Sequence, residues 1–287
     1  MHASQRMQNS RRPAGKAMRL SGLNVSRVTI FNYHGLTEQL SDKLPKATKK
    51  YWLTPAQFRA HLVLLRADGF HTVLLHELKD YRSATLRDVP SVILTFDDGL
   101  VSDYEVAFPL LVEFGMTAVF FVNTANIGQE GYLNWNQLAE MQRHGMSIQS
   151  HGHRHVDLTV LPNAELNSEL RDSKRLLEDR LGSQVDYLAA PRGIVDRRVI
   201  RWALSAGYQA VCSTRCLPAK PNSTVFTRIT LYRDVTIKEF DAFLKGKLRP
   251  YASRLSLGLL QGALSIPAHL CHVLRYRWIK QSATATR

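Results

Sequence analysis

The chain has 287 residues, of which 45% are hydrophobic, and a formal net charge of +14. This length and composition suffice for one large domain with a substantial core. Three cysteines, an odd and small number, argue against a disulfide framework. Cys212 and Cys216 have no second cysteine pair with which to form a zinc site, so we interpret the thiols as structural or incidental.

The positive charge lies at the two ends of the chain. Residues 1–20 contain five basic residues and residues 245–287 contain eight, with no acidic residue in either segment. The chain between them is therefore almost neutral. A nucleic-acid-binding protein usually carries its positive surface on the folded body, so no nucleic-acid partner is predicted. Basic ends on a neutral body fit an anionic membrane surface better.

The sequences of the two ends of the chain also predict where the protein is located in the cell. The first 25 residues contain no continuous apolar stretch, which predicts no secretory signal and a cytoplasmic protein. Residues 255–274 are uncharged, and their apolar and polar side chains follow two separate helical stripes. We interpret this run as a helix lying in the interface of the inner membrane face. The alternative is a helix packed against the protein itself. The predicted organisation is a basic arm (1–26), a central domain (27–245) and a basic amphipathic tail (246–287).

Short apolar segments alternate with helical patterns through the central domain. A helix is predicted to begin at Thr54-Pro55, because threonine is a good N-cap and proline suits the first helical position. Later helices are predicted to end at glycines, which accept the left-handed C-cap conformation. The predicted strands are 28–33, 71–75, 91–97, 117–123, 147–151, 187–191 and 209–213. Repeated strand–helix units indicate an α/β fold, a distorted (β/α) barrel of about seven parallel strands, with a doubly wound open sheet as the alternative.

Two adjacent carboxylates, Asp97 and Asp98, stand at the end of the third predicted strand in the motif TFDDG. Chemistry in both candidate folds gathers at the carboxyl ends of the strands. Paired carboxylates at that point indicate a metal, a proton transfer, or both. The plainer alternative is that Asp97 caps a helix and Asp98 is solvated.

Three histidines stand at the end of the fifth predicted strand, in the sequence SHGHRH. His151 and His155 are four residues apart, so both imidazoles can converge on one ion while His153 points away. Together with Asp98 they form a common ligand set for a catalytic divalent metal with open positions, and zinc is our first choice. A solvated histidine-rich loop is the alternative. If Asp98 binds the metal, Asp97 is free to act as general base towards a water whose pKa the metal lowers.

These motifs resemble the NodB-type polysaccharide deacetylases. The segments FNYHGL, LAAPRG and FTRITLYRDVTIKEF fit further parts of that family, so the resemblance covers about residues 27–245. It implies a distorted (β/α) barrel and metal-dependent hydrolysis of an N-acyl group on a sugar. By this match Asp97 would be the base, and Asp98, His151 and His155 the metal ligands.

The later motifs depart from the family pattern. Ala189 stands where many members have an arginine that pairs with the base. Arg192 replaces the usual aromatic residue, although its backbone N–H and its charge could still assist at the oxyanion. The fourth-motif tryptophan has no clear counterpart, and ITLYRD lacks the histidine that serves as general acid. His34 is the best-placed replacement acid, and Arg228 could orient Asp97. The alternatives are a backbone hydrogen bond for His34 and a surface acid as the partner of Arg228.

Two functions remain open at this point. The first is a metal-dependent hydrolase that removes an N-acyl group, expected to be acetyl, from an amino sugar. Its substrate would be a polysaccharide or a lipid-linked saccharide, and the basic tail and missing signal favour the lipid-linked form. The second is a non-catalytic carbohydrate-binding or scaffold protein on the same fold, which the departures in the later motifs would explain.

Overall fold

The computed structural model describes residues 28–42, 44–82, 89–214 and 223–246. Strands and helices alternate along these residues. The strands are β1 Thr29–Tyr33, β2 His71–Thr72, β3 Ser91–Asp98, β4 Val119–Val122, β5 Ser147–Ser150, β6 Tyr187–Ala189, β7 Ala210–Ser213, β8 Val225–Thr227 and β9 Ile229–Thr230. The α-helices are α1 Pro55–Ala67, α2 Phe108–Phe114, α3 Trp135–Arg143, α4 Asn163–Leu181, α5 Arg197–Ser205 and α6 Ile237–Leu244.

All pairings between these strands are parallel, and the strand order is β8-β7-β6-β5-β4-β3-β1-β9, with β2 beside the start of β3. β8 pairs with β7 and β9 pairs with β1, while only Arg228 separates β8 from β9 in the chain. One interrupted strand therefore joins the two ends of the sheet. The result is a nearly closed barrel of eight strands, which confirms the predicted fold class and rules out the open sheet.

The eight strands agree with the predicted barrel of about seven, and one strand was not predicted individually. That strand runs from Val225 to Thr230 and is divided by Arg228 into two short parts. Each part contains a threonine, so neither stands out as an apolar run. The second predicted strand, 71–75, was too long, because only His71–Thr72 pairs with β3 and a 3₁₀ helix begins at Leu75.

The structure confirms the helix start predicted at Thr54 and the prediction that helices end at glycines. Thr54 caps α1: its hydroxyl accepts from the Gln57 N–H, and the Gln57 side chain accepts from the Thr54 N–H. This reciprocal capping satisfies two amides that the first helical turn leaves unpaired. Gly115 and Gly182 end α2 and α4 in the left-handed conformation, with φ of 65° and 64°.

Side chains alternate between the inside and the outside of the barrel. One apolar cluster contains strand residues such as Ile93, Phe121 and Phe226 and fills the barrel interior. The other contains the alternate strand positions, such as Leu94 and Phe120, packed against the helices. On β3 the inward series 93, 95, 97 runs from an apolar to a polar residue, so Asp97 lies at the top of the filled interior.

Several predictions fall outside the described residues. They are the basic arm, nearly all of the amphipathic tail with its helix at 255–274, and two of the three cysteines. The remaining thiol, Cys212, is buried on β7, and burial raises its pKa to about 12, which fits a structural role. Among the described residues, no helix is both long enough and apolar enough to span a bilayer.

Candidate metal and catalytic site

Asp98, His151 and His155 lie together at the carboxyl end of the barrel. Nε2 of His151 is 3.3 Å and Nε2 of His155 is 3.2 Å from Oδ1 of Asp98. The potential ligand atoms of the three residues are all within 4.8 Å of one another. Sheet order explains this meeting. β3, β4 and β5 are neighbours, so only one strand separates Asp98 at the end of β3 from the histidines that follow β5.

His151 is oriented by a backbone carbonyl. Its Nδ1 lies 2.8 Å from the carbonyl oxygen of Ala189, which can only accept, so Nδ1 is the donor and Nε2 is the ring atom directed at Asp98. A metal-binding histidine commonly donates its other N–H in this manner. The ring is almost completely buried, at 2% exposure. The Ala189 contact comes from the end of β6 and carries no side-chain signal in the sequence.

Backbone conformation explains how two neighbouring aspartates serve one site. Only three non-glycine residues of the described chain have positive φ: Asp98 (82°), His155 (56°) and Arg192 (61°). Such conformations are costly and concentrate at functional sites. Because Asp98 has a left-handed backbone conformation, the alternation of side chains along β3 stops there. The carboxylate of Asp98 faces the histidines, and the side chain of Asp97 points into the barrel like those of residues 93 and 95.

Asp97 is held by Arg228 inside the barrel. Nη1 of Arg228 donates to Oδ1 at 2.7 Å, and Nη2 donates to Oδ2 at 2.8 Å. Asn32 donates to Oδ2 at 3.1 Å, and Arg228 also donates to the hydroxyl of Thr95 at 3.1 Å. Arg228 is fully buried, so the surface-acid alternative does not describe it. A bidentate fork of this kind fixes both the charge and the orientation of the carboxylate.

The charges around Asp97 and Asp98 keep both carboxylates ionised. Burial raises the pKa of Asp97. The Arg228 guanidinium and nearby histidines, His151 foremost, together lower this pKa by more than burial raises it, so the net shift is downward. Burial likewise raises the pKa of Asp98, and hydrogen bonds from His151 and His155 bring it well below its usual range. Asp98 therefore offers an anionic oxygen, and Asp97 can accept a proton.

His34 follows β1 and lies close enough to the site to feel its charges. Burial lowers its pKa, and the carboxylates of Asp98 and Asp97 oppose that shift. Its ring packs on Tyr51 with centroids 4.8 Å apart. Its Nδ1 is buried and has no hydrogen-bond partner in the described part of the chain, so the backbone-bonded alternative finds no support at that atom.

His153 lies outside the cluster of potential metal ligands. The Arg192 side chain is exposed, on a 3₁₀ turn formed by Pro191–Gly193 after β6. Nδ1 of His153 lies 2.7 Å from the hydroxyl of Thr124, on the side of the β4–α3 connection. Two residues of the site were not predicted from the sequence. Asn32 is a polar residue within an apolar strand, a signal that could have revealed it, whereas Glu169 has no such signal.

The residues present fit a divalent metal. Two imidazoles and one carboxylate form a ligand set typical of zinc sites with open positions. Two features of the site agree with it. Nδ1 of His151 is bonded to a carbonyl, so Nε2 is the nitrogen available to an ion, and the neighbouring Asp98 is ionised. The solvated-loop alternative does not describe this arrangement, because His151 is buried.

The known proteins to which this chain is similar are polysaccharide deacetylases. Residues 86–211 match the family model described as polysaccharide deacetylase. The chain is 31% identical over 192 residues to the Bacillus subtilis (strain 168) protein YxkH, which bears a polysaccharide deacetylase name. That match covers 66% of this chain and 65% of the relative, so the chain spans slightly less than two thirds of that protein.

Two further relatives extend the comparison. A Staphylococcus aureus poly-beta-1,6-N-acetyl-D-glucosamine N-deacetylase is 24% identical over 217 residues, covering 69% of this chain and 75% of its own. The structure of the Streptococcus pyogenes deacetylase PplD in complex with acetate superposes with a TM-score of 0.67 at 24% identity, covering 77% of this chain and 96% of that one. This last likeness concerns the fold. In its match over residues 86–211 and in its barrel, the chain is similar to the polysaccharide deacetylases.

Proposed function

We propose that this chain removes an N-acetyl group from an amino sugar of a polysaccharide, with a divalent metal ion, zinc as first choice. The observation that carries the proposal is the meeting of Asp98, His151 and His155 beside a separately held Asp97. The named activity of the Staphylococcus aureus relative supports the choice of an N-acetylated sugar polymer.

Asp98, His151 and His155 would hold the metal. When bound, a divalent ion supplies a lowered water pKa and polarisation of the acyl carbonyl. The burial of His151 and its bond to Ala189 fix one ligand before the ion arrives. Two neutral imidazoles and one carboxylate leave a net positive centre, which suits an amide oxygen that becomes negative during the reaction.

Asp97 acts as the general base in this proposal. Arg228 and Asn32 hold its carboxylate in one orientation and keep it ionised at neutral pH. An ionised carboxylate next to the ligand Asp98 can accept a proton from the attacking water. The two aspartates thus divide the work, because one holds the ion and the other takes the proton.

His34 is the proposed donor of a proton to the leaving amine. Its lowered pKa means that it is neutral in the resting site, so it must first receive the proton that Asp97 has accepted. The nearby carboxylates favour its protonated form and thereby assist that transfer. Arg192 stays in the proposal as a backbone N–H donor to the oxyanion, at a residue held with φ of 61°.

A lipid-linked saccharide and attachment to the inner membrane face are part of the same proposal. They rest on the basic ends of the chain and on the amphipathic run at 255–274. The S. aureus relative named for a sugar polymer makes a polymer the first substrate to try.

Acetate release tests the function. The metal-free full-length chain, prepared with a chelator, is incubated with poly-β-1,6-N-acetylglucosamine and with N-acetylated chitooligomers, before and after one equivalent of Zn²⁺, Co²⁺, Ni²⁺ or Mn²⁺. We expect no release without metal and release on at least one substrate after metal addition. Tight binding of metal and sugar without any release would instead favour the carbohydrate-binding alternative.

A further inference from the structure

Glu169 on α4 is a buried carboxylate outside the proposed catalytic set. Its side chain is 1% exposed, and a carboxylate is rarely buried unless it is paired. Oε1 accepts the backbone N–H of His153 at 2.8 Å and that of Arg154 at 2.5 Å. Oε2 accepts from Nε of Arg154 at 2.9 Å. All of these donors belong to the segment 151–155, which we call the histidine turn.

The histidine turn connects the two histidine ligands, and Glu169 binds its middle. The amides of residues 153 and 154 lie between His151 and His155, so one carboxylate oxygen draws both amides to the same point. Gly152 permits this approach: with φ of 77°, it lies where an added Cβ would be 3.3 Å from Oε1 of Glu169. His155 itself stands at φ of 56°, a conformation that needs outside support.

Neighbouring contacts hold the turn from two sides. Ser173, one helical turn after Glu169 on α4, accepts a hydrogen bond from the Ser150 hydroxyl at 3.0 Å, and that hydroxyl accepts the Gly152 N–H at 3.1 Å. On the opposite side, the carbonyls of Gly152 and His153 accept the N–H groups of residues 124 and 125. The turn is therefore fixed between α4 and the β4–α3 connection.

We propose that Glu169 is a positioning residue for the metal site, which sets the separation and direction of His151 and His155 through the backbone between them. The inference rests on the proposed metal site. Glu169 touches neither the ligand atoms nor, in this proposal, the substrate. Outer partners that orient ligands typically change metal affinity about 10- to 100-fold when they are removed.

Metal binding to the full-length chain provides the test. Glu169→Ala removes every acceptor, whereas Glu169→Gln keeps one oxygen for the two amides. Arg154→Ala removes the side-chain contact and leaves the amide contacts intact. Glu165→Ala is the matched control, because Glu165 lies on the same helix, is half exposed and reaches only Arg154, at 3.6 Å. Zn²⁺ affinity is measured by competition with a chelating dye, and site geometry by the visible absorption of the Co²⁺ form.

We expect Glu169→Ala to weaken zinc binding about 10- to 100-fold and to change the Co²⁺ spectrum. Glu169→Gln should fall between that variant and the unaltered chain, and Arg154→Ala and Glu165→Ala should bind zinc normally. Unchanged zinc affinity and Co²⁺ spectrum in Glu169→Ala would overturn the proposal. If that variant does not fold, Glu169→Gln decides alone, and values equal to those of the unaltered chain would overturn it.

The test separates this inference from the proposed function. If the unaltered chain binds no zinc, the metal-dependent function fails before Glu169 is considered. If the unaltered chain binds zinc and releases acetate while Glu169→Ala binds zinc equally well, only the role of Glu169 fails.

Discussion

Replacing Arg228 by methionine would leave the carboxylate of Asp97 buried without its cation. The variant loses three hydrogen bonds, two to Asp97 and one to Thr95, and Asp97 keeps only the 3.1 Å bond from Asn32. Removing one partner of a buried ion pair costs about 3–5 kcal/mol. Since domains are stable by about 5–15 kcal/mol, this is a large part of the total. For a domain of this size, the melting temperature should fall by about 6–20 °C.

The pH dependence of that loss has a definite sign. Arg228 lowers the pKa of Asp97 in the folded chain, so the pair adds stability above the ordinary carboxyl pKa and loses it as pH falls through the folded pKa. Without Arg228, the pKa of Asp97 rises, because burial is then opposed only by the weaker effects of His151 and His34. The stability difference between unaltered chain and variant should therefore grow as pH rises from about 3 to 7.

Urea unfolding of the metal-free proteins at several pH values measures these effects. The double variant Arg228→Met/Asp97→Asn should be more stable than Arg228→Met at pH 7, because the uncompensated charge is gone. Arg59→Met is the matched control: Arg59 makes the same bidentate contact with Glu113, but at about half exposure, so its loss should matter far less. Equal unfolding midpoints for Arg228→Met and the unaltered chain, or no recovery in the double variant, would refute the reasoning.

Three further outcomes are expected. His151→Ala should lose bound metal and acetate release together, whereas His153→Ala should keep the metal by elemental analysis; metal retained in the first variant would remove His151 from the ligand set. Asp103→Asn should raise the urea midpoint at pH 7, because Asp103 is fully buried and burial, with the charge of Asp98, raises its carboxyl pKa well above the usual value; the gain should shrink below the ordinary carboxyl pKa, and a gain independent of pH would contradict this cause. Truncation after Arg249 should abolish most of the salt-sensitive sedimentation with anionic vesicles, and a full-length chain that stays in the supernatant at low salt would end the membrane proposal.

The sequence was most informative where chemistry and strand ends coincide. Asp97 and Asp98 stand at the end of one predicted strand, and His151 and His155 stand at the end of another, so parallel topology predicts that they share one end of the sheet. The structure places Asp98 and both histidines at one point, as expected. The ends of helices were also predicted well. Thr54 and the glycines at the carboxyl ends of helices act through local backbone conformation, which depends on residues close in sequence.

Other features depend on contacts between distant segments and left little trace in the sequence. Arg228 was predicted to orient Asp97 only through the family resemblance, because the two residues are 131 positions apart and become neighbours through barrel closure at β8 and β9. Glu169 lies in a polar helix where nothing distinguishes it from exposed glutamates such as Glu165. The left-handed Asp98 was also unpredictable, since a strand pattern implies that adjacent carboxylates point to opposite faces.

The most direct test of the central claim compares the unaltered chain with Asp97→Asn at one equivalent of bound zinc each. The asparagine keeps the shape and cannot accept the proton, while Asp98, His151 and His155 remain to hold the ion. Acetate release from the same N-acetylated oligosaccharide should fall about 10²- to 10⁴-fold in the variant at equal metal content. Release near that of the unaltered chain, with zinc bound in both proteins, would contradict the assignment of Asp97 as the base beside a metal held by its neighbour.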